Sequence, residues 1–176
     1  MTLKVAVVGS GYFSQFHFDA WRRLPGSQLV AVCSLEPASL VEAAARHLIP
    51  RQFAEVGQML DAVRPDLLDI VTPPAAHLAV LTAAAERGID VICQKPLGGD
   101  LASARAMVRR AEEAGIALVV HENFRFMPWY REARRLIEAG ALGRLLNLGF
   151  RLRPGDGQGP RAYLDRQPYS SRCRAS

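Results

Sequence analysis

The chain is 176 residues long, 49% hydrophobic and 22% charged, with a formal net charge of +5. That is enough for one domain with a proper core, and the balance fits a globular α/β protein. No apolar stretch nears the ~18 residues of a membrane span, and Lys4 is followed only by the short run Val5 to Val8 before Gly9, so neither a span nor a secretory leader is expected. We expect a cytoplasmic protein with no membrane partner.

The charge is uneven. Residues 1–120 hold 11 Lys and Arg against 12 Asp and Glu, whereas residues 121–176 hold 11 against 5. A basic C-terminal third can meet nucleic acid or an anionic substrate. No aromatic-basic motif of a nucleic-acid module accompanies it, so an arginine-rich surface is the reading taken and no nucleic-acid partner is expected. Cys33, Cys93 and Cys173 form no C-x-x-C pair. They are read as structural or incidental, with no disulfide and no metal site.

In chain order, residues 3–8 form a buried strand that runs into Gly9-Ser10-Gly11 and then a helix from Phe13 to Leu24, stopped by Pro25-Gly26. Gln28 to Cys33 is a second apolar strand. Helices follow over Ala38 to His47 and Glu55 to Val63, then a strand over Leu67 to Val71 ending in Thr72-Pro73-Pro74. An alanine-rich helix spans Ala75 to Arg87 with Gly88 just past it, and Val91 to Cys93 is a strand. Asp100 caps a helix that reaches Ala114 ahead of Gly115, and Ala117 to Val120 is another strand. Strands alternating with helices of this length predict a doubly wound parallel sheet of Rossmann type, with ligands at the carboxyl ends of its strands. A charged amphipathic helix from Pro128 to Ala139 and a strand from Leu145 to Arg153 lead away from it. From residue 154 glycines and prolines replace apolar periodicity, which predicts an irregular tail.

Four strand ends carry chemistry. The turn Gly9-x-Gly11-x-x-Ser14 fits a dinucleotide fingerprint with serine at the third small position: glycine lets backbone N–H groups approach a pyrophosphate, and the helix N-terminus meets the same negative charge. Such folds place an acidic residue about 20 residues further on to accept hydrogen bonds from the adenosine ribose. That end reads Cys33-Ser34-Leu35-Glu36. Ser34 can hydrogen-bond a ribose and Glu36 lies two residues on, where it also fits a simple helix start beside Pro37. No arginine sits there to neutralise a 2′-phosphate, so NAD is favoured, with NADP left open. Thr72-Pro73-Pro74-Ala75-Ala76-His77 closes the strand beside the first, where the strand order should switch. His77 fits either a ligand contact or a packed, capping histidine. Cys93-Gln94-Lys95-Pro96 closes the next strand, where an ammonium group can hold a substrate oxygen as hydride leaves the carbon.

Taken together, these segments and the run His121-Glu122-Asn123-Phe124-Arg125-Phe126 resemble the glucose-fructose oxidoreductase, inositol dehydrogenase and MocA-like family of nicotinamide-dependent oxidoreductases. Gln94-Lys95-Pro96 is the counterpart of that family's Glu-Lys-Pro. Ser34 stands where the family often has Asp. The resemblance implies a Rossmann domain over residues 1–122 and the beginning of a substrate domain over 123–176, incomplete here, as a truncated or frame-shifted product would be. It implies a sugar or polyol substrate, hydride transfer at a carbinol carbon, and homo-oligomers among intact relatives. Lys95 is assigned the catalytic role, and Gly9, Gly11, Tyr12, Phe13, Ser34, Glu36, Thr72, Pro73, His77, Gln94, Lys95 and Asn123 are assigned to the cofactor. An alternative is a non-catalytic NAD-binding module that regulates or scaffolds a partner.

Overall fold

The computed structural model describes residues 2–150, in two compact units that divide between His121 and Glu122. The first unit holds a six-stranded, all-parallel sheet: β1 (Leu3–Val8), β2 (Ser27–Cys33), β3 (Gln52–Phe53), β4 (Leu67–Ile70), β5 (Asp90–Gln94) and β6 (Leu118–His121). Their spatial order is β3-β2-β1-β4-β5-β6. The order reverses between β1 and β4, which opens a crevice at the carboxyl ends of those two strands.

Side-chain alternation along β1 divides the core. Val5 and Val7 face one side, with Phe18 from α1 (Ser14–Arg23) and Leu40, Ala43 and Ala44 from α2 (Pro37–His47). Ala6 and Val8 face the other, with Met59 and Leu60 from α3 (Val56–Val63), Leu81 and Ala84 from α4 (His77–Ala85), and Met107 from α5 (Leu101–Ala114). Both faces of a parallel sheet are thereby covered, which is why its central strands read as continuous apolar runs.

Local signals account for most boundaries. Asp100 caps α5 by accepting from the Ser103 N–H while the Ser103 hydroxyl reaches back to the Asp100 N–H, and Gly115 ends the helix in the left-handed region at φ 68°. The expected helix over Ala75 to Arg87 is divided into a 3-10 turn, Pro74–Ala76, and α4. The two-residue β3 has no counterpart among the sequence-derived elements. It is defined by its pairing with β2, through Val32 N–H to Arg51 O and Ser34 N–H to Phe53 O, and two residues carry no period of their own.

The second unit contains a 3-10 turn, Phe124–Phe126, and α6 (Pro128–Glu138), whose exposed face carries Arg134–Glu138 and Arg135–Glu132 pairs. The strand expected from Leu145 is corrected: residues 145–150 are irregular, and Leu145, Leu146, Leu148 and Phe150 are exposed. Apolar alternation makes a strand only where a neighbour completes the ladder, and the described residues supply none there. Arg151 to Arg153, the tail from 154 and Cys173 lie outside the described residues. Among the described residues no helix is long and apolar enough to cross a membrane.

Candidate functional site

The glycine turn is locked from two sides. Gly9 donates its N–H to Cys33 O at 2.8 Å, and Val71 donates to Val8 O at 2.8 Å. Gly9 sits at φ +116°, and a Cβ there would collide with the Val71 carbonyl, so only glycine fits both the conformation and the space. Gly11 differs: its φ is ordinary and a Cβ would meet nothing within 4 Å. The fold itself does not call for glycine at position 11, and the space beside its Cα is open. Ser14 is buried and bonds the Gly11 carbonyl through both its N–H and its hydroxyl, pinning the first turn of α1 beneath the loop.

At the β2 tip three half-buried hydroxyls meet. Ser10 Oγ lies 2.7 Å from Ser34 Oγ and 2.6 Å from Ser39 Oγ. Glu36 is exposed at the N-cap of α2 and makes no side-chain cap there, so its carboxylate is not engaged in holding the helix. A cavity of about 320 Å³ borders this tip, with Ser10, Gly11 and Tyr12 on one wall and Ser39 and Arg46 on the other. A larger hollow of about 640 Å³, between Asp66 and Ile89, lies at the amino ends of β4 and β5, opposite the end where such sheets bind ligands.

At the switch point, Thr72 is half-buried, and its Oγ1 is shielded and has no hydrogen-bond partner among the described residues. A buried hydroxyl without a partner is costly. Pro73 is exposed beside it. His77 is 0% exposed: its Nε2 lies 2.8 Å from Thr72 O and its Nδ1 3.0 Å from Leu97 O. The ring therefore offers no surface to a ligand. It ties the β4–α4 turn to the loop after β5.

The β5 tip is a buried polar chain. Lys95 N–H donates to Gln94 Oε1 at 2.8 Å, Gln94 Nε2 lies 3.0 Å from His17 Nε2, and His17 Nδ1 lies 2.8 Å from Asp69 Oδ2. Trp21 Nε1 donates to the same carboxylate oxygen at 2.7 Å. His17 and Asp69 were not among the sequence-assigned residues. One signal for them existed: a carboxylate at the centre of Leu67-Leu68-Asp69-Ile70-Val71, inside a buried parallel strand, demands a partner. Tyr12 and Phe13 flank Phe16 in ring contacts at 5.7 and 5.4 Å, and Phe13 also meets His17. Lys95 itself is half-buried. Asn123 belongs to the second unit, where its Oδ1 is buried and accepts no hydrogen bond among the described residues.

Two thiols, Cys33 and Cys93, are buried. Burial, with Glu55 nearby, pushes Cys33 up to about 11, and burial with the Asp69 charge pushes Cys93 up to about 12, so both stay protonated near neutral pH. Among the described residues no cluster of His, Cys, Asp or Glu is arranged to hold a metal ion.

Residues 3–122 match the oxidoreductase family with an NAD-binding Rossmann fold. D-apiose dehydrogenase of Paraburkholderia graminis is 40% identical over 140 residues, which is 80% of this chain and 37% of that protein. A crystal structure of an oxidoreductase from Agrobacterium radiobacter with NAD+, L-tartaric acid and magnesium is similar at TM-score 0.79 and 33% identity, over 82% of this chain and 42% of that one. The scyllo-inositol dehydrogenase of Lactobacillus casei, crystallised with NAD(H) and scyllo-inositol, matches at TM-score 0.75 and 25% identity, over 81% of this chain and 43% of that one. The chain thus spans roughly two fifths of the length of these relatives. An open glycine turn at a sheet's switch point and the match over residues 3–122 lead to one conclusion: the chain belongs to the glucose-fructose oxidoreductase, inositol dehydrogenase and MocA-like oxidoreductases, of which it carries the NAD-binding Rossmann fold.

Proposed function

We propose that this chain is the cofactor-holding part of an oxidoreductase of sugars or polyols, and that it takes up NAD across the tips of β1, β2, β4 and β5. The observation that carries the reading is the pairing of Gly11, whose missing side chain leaves the turn open, with the unpartnered Thr72 hydroxyl across the β1–β4 switch. When bound, NAD supplies a carbon that accepts or returns hydride.

The chain's own residues then have separable tasks. The amides of the Gly9–Gly11 turn and the N-terminus of α1 bind the pyrophosphate. Ser34 and Glu36 accept from ribose hydroxyls, and the Glu36 charge repels a 2′-phosphate, which favours NAD over NADP. Thr72 and Pro73 border the cofactor's middle, while His77 holds their turn in place. Lys95 orients the oxygen of the reacting carbinol and stabilises negative charge on it as the hydroxyl proton leaves. The substrate class rests on relatives that act on apiose and inositols.

Calorimetric titration of the 176-residue chain with NADH and NADPH, alongside steady-state oxidation of D-apiose and myo-inositol, tests this. NADH uptake without appreciable turnover is the expected result, because the residues assigned here serve the cofactor and a single substrate oxygen. Failure to take up either reduced coenzyme would overturn the reading. Gel filtration with and without NAD separates it from a regulatory module, in which the coenzyme should change the assembly state.

A further inference from the structure

We propose that Asp69 and His17 are positioning residues: a buried relay running Asp69–His17–Gln94 that holds the backbone of Lys95 only while the His17 ring is neutral. The inference rests on the reading that Lys95 borders the nicotinamide end of the cofactor.

Donor and acceptor capacities leave the chain a single arrangement. The Lys95 N–H can only donate, so the Gln94 atom at 2.8 Å must be its carbonyl oxygen. The Gln94 amide nitrogen then faces His17 Nε2 at 3.0 Å with hydrogens, so that ring nitrogen must accept. The remaining ring proton sits on Nδ1 and is donated to Asp69 Oδ2 at 2.8 Å, an oxygen that also takes the Trp21 N–H. His17, Asp69 and Gln94 are 5%, 1% and 8% exposed, so water does not readily substitute for a lost link.

Protonation of His17 puts a hydrogen on Nε2 and sets two donors against each other. Gln94 must turn its oxygen to the ring, and the Lys95 N–H loses its acceptor. Asp69 on β4 is the charged group that faces the ring. Also against this cluster stand His121 on β6, whose ring lies 4.6 Å from that of His17, and the Cys93 thiol, which burial keeps neutral. Glutamate at position 94, the residue the family resemblance led one to expect, would accept from a protonated Nε2 and place the ring between two carboxylates. Glutamine, with its amide nitrogen toward the ring, needs Nε2 as an acceptor.

The test uses the 176-residue chain, with NADH and ADP-ribose as paired ligands, since ADP-ribose has the same adenosine and diphosphate but no nicotinamide. His17→Leu is expected to weaken NADH binding about tenfold while moving ADP-ribose by less than about twofold. His17→Gln, which retains one donor and one acceptor, should recover most of that loss. In the wild type, measured between about pH 8 and about pH 6, the NADH to ADP-ribose affinity ratio should follow the fraction of neutral His17 that its nitrogen-15 shifts report. Nitrogen-15 shifts should show the Nδ1–H tautomer of His17 at the higher pH, and Gln94→Glu should make the ring take a second proton more readily. An Nε2–H tautomer in the wild type, or a His17→Leu change that is equal for both ligands or absent, overturns the relay. If His17→Leu does not fold, the wild-type tautomer and the Gln94→Glu titration decide. Uptake of neither ligand by the wild type overturns the cofactor reading and the relay with it.

Discussion

The tips of β2 and β5 stand on either side of the β1–β4 switch and are built in opposite ways. At β2, Ser10, Ser34 and Ser39 exchange hydrogen bonds through short, half-buried hydroxyls, and Glu36 stands exposed beside them. At β5, Gln94, His17 and Asp69 are buried, and each link in their chain has one possible direction. A hydroxyl can donate or accept and can turn to suit a ligand, whereas an amide fixed by its neighbours cannot. On the function proposed above, the β2 tip would adapt to ribose hydroxyls, and the β5 tip would hold one geometry beside the reacting carbon. Specificity for the coenzyme should be easy to alter at the first and hard to alter at the second.

The largest effect is expected where the two tips share a support. Gly9 reaches the β2 side through its bond to Cys33 O and the β4 side through its close approach to Val71. Gly9→Ala should destabilise the fold by about 3–4 kcal/mol through backbone strain and overpacking together, and should abolish NADH uptake. Chemical denaturation and calorimetry measure the two losses, and an unchanged denaturation midpoint would refute the support.

An intermediate effect is expected at the β2 tip alone. Ser34→Asp gives the ribose a charged acceptor in place of a neutral one, and should raise the preference for NADH over NADPH about tenfold, by analogy with the strength of hydrogen bonds to charged groups. Competition binding of the two coenzymes measures this ratio. If Ser34→Asp leaves it unaltered, the serine cluster is not the ribose contact.

The smallest effect is expected beyond the β5 tip, at the start of α5. The backbone N–H of Ser103, and then its hydroxyl, hold the Asp100 carboxyl below the ordinary aspartate range. Its folded pKa lies below its unfolded one, so the cap's contribution is complete above the unfolded value and fades as the pH falls through the folded one. Asp100→Ala should slightly lower the thermal midpoint at neutral pH, and the difference from wild type should vanish in strong acid. Thermal melts across that range measure it, and a difference that persists in acid would show that the carboxylate is not what caps α5.

Much of this architecture is legible along the chain because its causes are local. The run Leu3 to Val8 into Gly9 and Gly11, the Asp100 cap, and the stop at Gly115 each place cause and effect within a few residues, and each appears in the fold at the anticipated position. The alternation of helices and strands likewise carries the parallel sheet, since right-handed crossovers leave few other ways to cover both faces. The resemblance that Lys95, Thr72 and the glycines support also concerns short segments.

What escaped were contacts between distant parts of the chain. His17 and Asp69 are 52 residues apart and Gln94 and His17 are 77 apart, so no local pattern joins them. His77 reads equally well as ligand contact or packed ring until the carbonyls of Thr72 and Leu97 are seen against its two nitrogens. Strand β3 exists through its ladder to β2, while Leu145 to Phe150, with an apparently better strand pattern, has no ladder among the described residues. Propensity and periodicity are properties of neighbouring residues. Hydrogen-bond satisfaction of buried polar groups is a property of the packed assembly, and only packing brings those groups within reach of each other.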